Sequence, residues 1–271
     1  YKRQPLERDV ALLEEAVRHD PQNVDARVTL AQFYLDTAMY TEALAQAGQV
    51  LEVHPDNDGA LIVSGLAHAH QGRAEDALVA LDRFVTLRKD QPMADEDLLL
   101  ETAYYFVGES YMRLDRPGDA VPALEAAIRI SYTDADALYL LGAAHQELGE
   151  PEQALAYYHE AARFVPDFSE AYGGMIESYA ALGRADHVVY AEGMHALSQG
   201  DQAVARQRLE AATAALPDFG PAFLGLGLAC EALGDMEAAR TALQRAMELT
   251  PNDVAARQAY GRVQAALADG E

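Results

Sequence analysis

Eight histidines, one cysteine and an excess of carboxylates are the side chains of this 271-residue sequence that could ligate a metal, attack as a nucleophile or move a proton. His68 and His70 are two positions apart, which on a helix turns them about 200° from each other, so they cannot share one ion. His187 and His195 are the remaining candidates for a metal pair. The stretch Gly225-Leu226-Gly227 lies inside a helical pattern with no strand before it, which excludes a dinucleotide-binding loop. H-E-x-x-H, a glycine-rich phosphate loop and paired cysteines are all missing from the sequence. The carboxylates are spread over polar faces, as a solvated acidic surface requires. No residue is assigned a catalytic, cofactor-binding or metal-binding role.

The charge says more about partners. Forty-four acidic and twenty basic residues give a formal charge of -24, which repels phosphate backbones and anionic lipid headgroups. Nucleic acid is excluded as a partner, and a basic polypeptide is favoured. Residues 184–271 carry 7 basic and 12 acidic groups, so most of the negative charge lies on residues 1–183. No apolar run approaches the roughly 18 residues of a membrane span, so this segment is not expected to insert directly into a membrane. The single cysteine excludes an internal disulfide. Only Lys2 and Lys89 are lysine and alanine is abundant, the composition of a GC-rich bacterial genome. The sequence begins at Tyr1 rather than Met, which fits a removed upstream anchor or signal flanked by Lys2-Arg3 and fits a cloning boundary equally. The bacterial cytoplasm and periplasm both stay open as compartments.

The elements that carry these residues follow a period of about 34. Pro21-Gln22-Asn23, Pro55-Asp56-Asn57 and Pro251-Asn252-Asp253 mark it, with Pro166-Asp167-Phe168 and Pro217-Asp218-Phe219 as variants. In each phrase proline stops one helix, and Asn or Asp caps the free N–H groups of the next. Two amphipathic helices of about 13 residues lie between the marks. Gly72, Gly149, Gly183, Gly200 and Gly234 occupy the turns between them, where a left-handed residue ends a helix. Ala38 and Asp115 stand in two of these turns. Alanine tolerates the left-handed conformation poorly, so a different geometry is expected at Ala38.

The unit resembles the tetratricopeptide repeat. One copy runs Leu138, Leu141, Gly142, His145, Gly149, Ala154, Tyr158, Ala161 and Pro166, and another Phe223, Leu226, Gly227, Cys230, Gly234, Ala239, Leu243, Ala246 and Pro251. His68, His145 and Cys230 share an inward-facing position of the repeat and are expected in the core. Gly65, Gly108, Gly142 and Gly227 are expected to face Ala77, Ala120, Ala154 and Ala239. The resemblance implies an all-α, right-handed α-solenoid of helix-turn-helix hairpins with a C-terminal capping helix. Hairpins should start near residues 24, 58, 101, 135, 169, 186 and 220, with a last helix at about 253–268. A half-repeat helix over residues 1–20 precedes them, its apolar stripe formed by Leu6, Val10, Leu13 and Val17.

Two irregularities interrupt the period. A polar insertion at 88–98 should be a short loop followed by extra turns on the helix ending near Arg113, with Pro92, Asp95, Glu96 and Asp97 in its first turns. Only 17 residues then separate the starts at 169 and 186. Segment 185–198 fits a first helix better than a second, because it puts Gly193 and Gly200 where glycine belongs. A three-helix unit is expected there, with a first array over 21–183 and a second segment over 184–271.

In this family the first helix of each pair lines the concave surface. The matching positions are Asp25, Val28, Gln32, Leu35, Asp36, Ile62, Leu66, His70, Tyr105, Glu109, Met112, Arg113, Asp136, Tyr139, Glu147, Glu170 and Glu177. They predict an apolar and aromatic floor with acidic walls, suited to a protein or peptide carrying basic and apolar residues. The Lys and Asn of a carboxylate clamp are missing from these positions. The functional expectation is a non-enzymatic protein-binding scaffold, for example an assembly factor of a bacterial complex. The alternatives are a self-associating structural subunit and a regulatory region of a larger protein.

Overall fold

The computed structural model describes residues 3–269, and it describes side chains from Val10 to Ala268. Tyr1, Lys2 and the side chains of Arg3 and Leu6 lie outside the described residues. Fifteen α-helices and one 3-10 turn, with no strand, make up the described chain. They are α1 (Arg3–His19), α2 (Val24–Asp36), α3 (Tyr40–Val53), α4 (Asp58–His70), α5 (Ala74–Arg88), α6 (Leu98–Arg113), α7 (Pro117–Ile130) and α8 (Ala135–Glu147). Then follow α9 (Pro151–Phe164), α10 (Ser169–Ala181), α11 (Ala185–Ser198), α12 (Gln202–Ala215), α13 (Gly220–Ala232), α14 (Met236–Leu249) and α15 (Val254–Asp269).

The punctuating residues act as their chemistry requires. Asn23 and Asn57 accept hydrogen bonds from the amides of Ala26 and Ala60, at 2.9 and 2.8 Å. Asp253 accepts from Ala255 and Ala256 at the start of α15. The two variant phrases differ. Phe168 and Phe219 occupy the cap positions of α10 and α13 and make no side-chain cap bond. Ala38 at φ 59° and Asp115 at φ 57° adopt the same left-handed conformation as the five turn glycines. The different geometry expected at Ala38 is therefore not found; the hairpin imposes its turn on a residue that resists it.

The insertion also differs from expectation. Its acidic residues are not in the first turn of α6. Asp95 and Glu96 lie in a 3-10 turn, Ala94–Glu96, and Asp97 is the N-cap of α6, accepting from Leu99 and Leu100. Arg88 ties the segment down by pairing with Asp97 and Asp58, both at 2.9 Å. Short-range carboxylate caps won over helix extension here.

The helices form two compact units, one up to Ala144 and the other from His145, a division that falls inside α8. In the first, buried Leu30, Ala31, Ala43, Val50 and Val63 knit α2, α3 and α4 together, and Leu81, Phe84, Leu100 and Val107 continue the core through α5 and α6. In the second, Cys230, Leu243, Ala259 and Val263 join α13, α14 and α15. Cys230 is 1% exposed, a core thiol whose pKa burial pushes up.

Close approach within several hairpins depends on glycine. A Cβ on Gly65, Gly108 or Gly227 would lie 2.5 Å from the Cγ of Leu81, Leu124 or Leu243. The expected partners Ala77, Ala120 and Ala239 are fully buried, but the glycines aim at leucines four residues further along. The Cα–Cβ vector tilts toward the helix N-terminus. In an antiparallel pair this carries it toward the C-terminal end of the mate.

Candidate functional site

Of the seventeen residues predicted to line a groove, fourteen belong to the first unit. Asp25, Gln32, Asp36, His70, Arg113 and Asp136 are exposed there, and Val28, Leu66, Tyr105, Glu109, Met112 and Tyr139 are half-buried. Leu35 and Ile62 are not groove residues. They are 9% and 4% exposed and belong to the core, because adjacent hairpins bury the flank of each first helix. Glu147, Glu170 and Glu177 are exposed and lie in the second unit, so twelve of the predicted positions stay accessible or half-buried in the first.

On the first unit a chain of rings crosses three hairpins. Tyr40 stacks on His70 with centroids 5.2 Å apart, His70 meets Phe106 edge-on at 5.1 Å, and Phe106 meets Tyr105 at 5.1 Å. Tyr40 and Phe106 were missing from the sequence reading. Tyr40 opens a second helix and Phe106 sits beside a predicted groove position, so only the fold shows that they share this face. Burial, together with the carboxylates of Glu109, Asp136 and Asp134, drives the Tyr105 hydroxyl pKa well above its ordinary value, and Arg113 opposes them. That guanidinium is already paired with Glu109 at 2.9 Å. The ring therefore sits in a predominantly negative field.

Beside it, Glu101 on α6 lies against Asp134, whose carboxylate caps α8 through the amides of Asp136 and Ala137. Burial and the neighbouring Asp134 push the Glu101 carboxyl up to about 7.

The second unit contains a feature that the sequence did not disclose, a cleft of about 610 Å³ among α9, α10, α11, α13 and α15. Met175, Met194, Leu224 and Leu228 supply its apolar surface, with Tyr172 and Tyr190. Its residues are spread from 159 to 258, so no local pattern marks them. Behind it lies a ring cluster. His159 Nε2 pairs with the Tyr179 hydroxyl at 2.8 Å, Tyr179 contacts His187 at 5.1 Å, and Phe219 contacts both His187 and Tyr190 at 5.0 Å. Burial lowers the pKa of both His159 and His187. The Phe219 ring thus stands in this cluster where Asn or Asp would cap a helix.

The metal candidates do not converge. His187 packs in the ring cluster, whereas His195 pairs with Gln199 at 3.2 Å. Among the described residues no group of three His, Cys, Asp or Glu side chains could hold a metal ion, and no helix is long and apolar enough to cross a membrane. His68 and His145 sit half-buried at their inward positions. His145 Nδ1 lies 2.7 Å from Glu150 and its ring stacks on Tyr157.

Antiparallel hairpins, four of them with glycine against leucine between their helices, and left-handed turns between the helices of each pair define an α-helical repeat protein. The chain belongs to the tetratricopeptide repeat family. Models of that repeat match residues 10–47, 31–92, 101–134, 135–168 and 190–254. A solved structure of MamA is 25% identical, with a TM-score of 0.57 over 64% of this chain and 96% of that one. The structure of YrrB, described as a TPR protein with an unusual peptide-binding site, is 15% identical and shares the fold over 91% of this chain and 96% of its own, with a TM-score of 0.50. The BBSome complex member BBS4 of Bos taurus is 23% identical over 167 residues, 62% of this chain. The chain spans about 30% of the length of that curated relative.

Proposed function

We propose that this chain is a protein-interaction scaffold that holds a polypeptide segment bearing basic and apolar side chains on the exposed face of α2, α4, α6 and α8, and that it serves in the assembly of a bacterial complex. The observation that carries this reading is the surroundings of Tyr105, an aromatic floor continued by Phe106, His70 and Tyr40 and flanked by Glu109 and Asp136. Such a surface anchors apolar side chains on rings and steers cations by charge. The likeness to proteins of the same repeat, one of them described as peptide-binding, supports it.

The test is affinity capture from bacterial lysate with the intact chain and with Tyr105→Ala/Tyr139→Ala, at low and moderate salt. A partner captured at low salt, reduced at moderate salt and lost by the double variant, while the helical circular-dichroism signal is kept, is the expected result. Recovery of the bait alone would favour self-association instead.

A further inference from the structure

We infer that copies of this chain associate head to tail, with α1 of one copy packing on α15 of the next as a second helix packs on a first. The contact uses no residue of the Tyr105 face, so it stands apart from the scaffold reading.

Gly261 carries the argument. It stands seven residues after Val254, the first residue of α15, as Gly65 stands seven after Asp58 of α4 and Gly227 seven after Gly220 of α13. Those two glycines are buried, and the space beside each is filled by a leucine sixteen residues further on. Gly261 is exposed, and a Cβ there would meet nothing within 4 Å. α15 therefore presents the notch of a first helix, and among the described residues no second helix covers it.

α1 carries the matching knob. Leu13 lies eight residues before Pro21, as Leu243 lies eight before Pro251 and Leu209 eight before Pro217. Leu243 and Leu209 are fully buried, because a glycine-bearing first helix closes over each. Leu13 packs on the core of α2 and α3 but stays only half-buried, since among the described residues no first helix covers its other side. Leu12 beside it is 56% exposed. The two halves of one hairpin contact thus sit uncovered on two separate helices, each in the register of the repeat, and a second copy is the occupant that this register specifies.

Charge agrees with the fit. In the α4–α5 and α13–α14 hairpins, the arginine two residues after the leucine pairs with the aspartate two residues before the first helix, Arg83 with Asp56 and Arg245 with Asp218. The equivalent residues here are Glu15 and Asn252. Arg257 donates to the Asn252 carbonyl at 3.4 Å and has no carboxylate partner among the described residues. The same pair can therefore form with its charges exchanged, Glu15 of one copy against Arg257 of the next. Arg257, Gln258 and Gln264 keep the flanks of the notch polar and exposed, which suits a small, reversible contact. Because the two copies use different surfaces, the contact repeats along an open series.

The test is sedimentation velocity of the full chain from about 10 µM to about 1 mM, where a small interface associates, at low and moderate salt. The average mass should climb past the dimer with concentration, and further at moderate salt, because each copy carries a charge of -24 and salt screens the repulsion. Gly261→Ala puts a methyl where Leu13 must enter and should weaken association about tenfold; the position is open in the single copy, so the variant should fold. Glu15→Arg and Arg257→Glu should each weaken association about two- to fivefold, and the two together should restore it. A monomer at every concentration would overturn the inference and leave the scaffold reading untouched. A plateau at the dimer, association unchanged in Gly261→Ala, or no restoration in the charge-exchanged pair would each overturn it as well.

Discussion

Leu209 of α12 is held between two glycines: a Cβ on Gly193 of α11 would fall 2.7 Å from its Cγ, and one on Gly225 of α13 would fall 3.0 Å from its Cδ2. Segment 185–198 thus meets its successor as a first helix meets a second, with the same sixteen-residue offset as Gly65 and Leu81. Gly193→Ala should destabilise the protein by about 1–2 kcal/mol, because overpacking outweighs the helix-propensity gain of about 1 kcal/mol and the route by which Leu209 could yield is closed by Gly225. Gly261→Ala on α15, where nothing lies within 4 Å, should stabilise by about 1 kcal/mol. Urea denaturation midpoints at constant slope read both.

The hairpin starts were legible because their signals are local: proline, Asn or Asp at the cap, and glycine in the turn. The three-helix irregularity was legible too, since Gly193 and Gly200 sit in register. What could not be read depends on contacts between distant residues. Leu35 and Ile62 look like groove positions on an isolated helix, but the stacking of α2 on α4 and of α4 on α6 buries that flank. Phe219 reads as a defective cap until His187 and Tyr190 come alongside. The Met175–Met194 cleft joins residues from five helices. At the insertion, Asp95 and Glu96 fit a helix N-terminus by type, but Asp97 had already taken the cap.

Ala38 holds φ 59° where five other turns use glycine. A left-handed alanine costs roughly 1–2 kcal/mol, partly offset by the smaller entropy that alanine loses on folding. Ala38→Gly should therefore raise stability by about 0.5–1 kcal/mol, read as a higher urea midpoint, whereas Gly72→Ala should lower it.

Glu101 should make stability fall as pH rises. Its folded pKa, about 7, lies above its unfolded value, so the folded state holds the proton more tightly. That advantage is fully present below the unfolded pKa and is lost as pH rises toward 7. Glu101→Gln keeps the neutral shape without the charge. With solvent screening of this half-buried group, the variant should gain about 1 kcal/mol over the parent at pH 8 and nothing at pH 4. Chemical denaturation at the two pH values checks this, and equal differences at both would show that Asp134 exerts no selective repulsion.

The opposite slope is expected from His159. Burial, with His187 and its own shifted titration nearby, lowers the His159 pKa, so the unfolded chain binds its proton first as pH falls below about 6.5. Stability is lost from there downward until the folded imidazole also titrates. Protonating His159 would place a cation within the Tyr179, His187 and Phe219 cluster, against whose hydroxyl its Nε2 now rests at 2.8 Å. His159→Gln retains a hydrogen-bonding group of similar reach and removes the titration, so its denaturation midpoint should fall less than the parent's between pH 7 and pH 5. The methyl resonances of Met175 and Met194 report the same event in the folded state, because His159 and both methionines line one cleft. Their shifts should titrate together below pH 6.5 in the parent and stay flat in His159→Gln. A titration that persists in the variant would assign the proton to His187 instead.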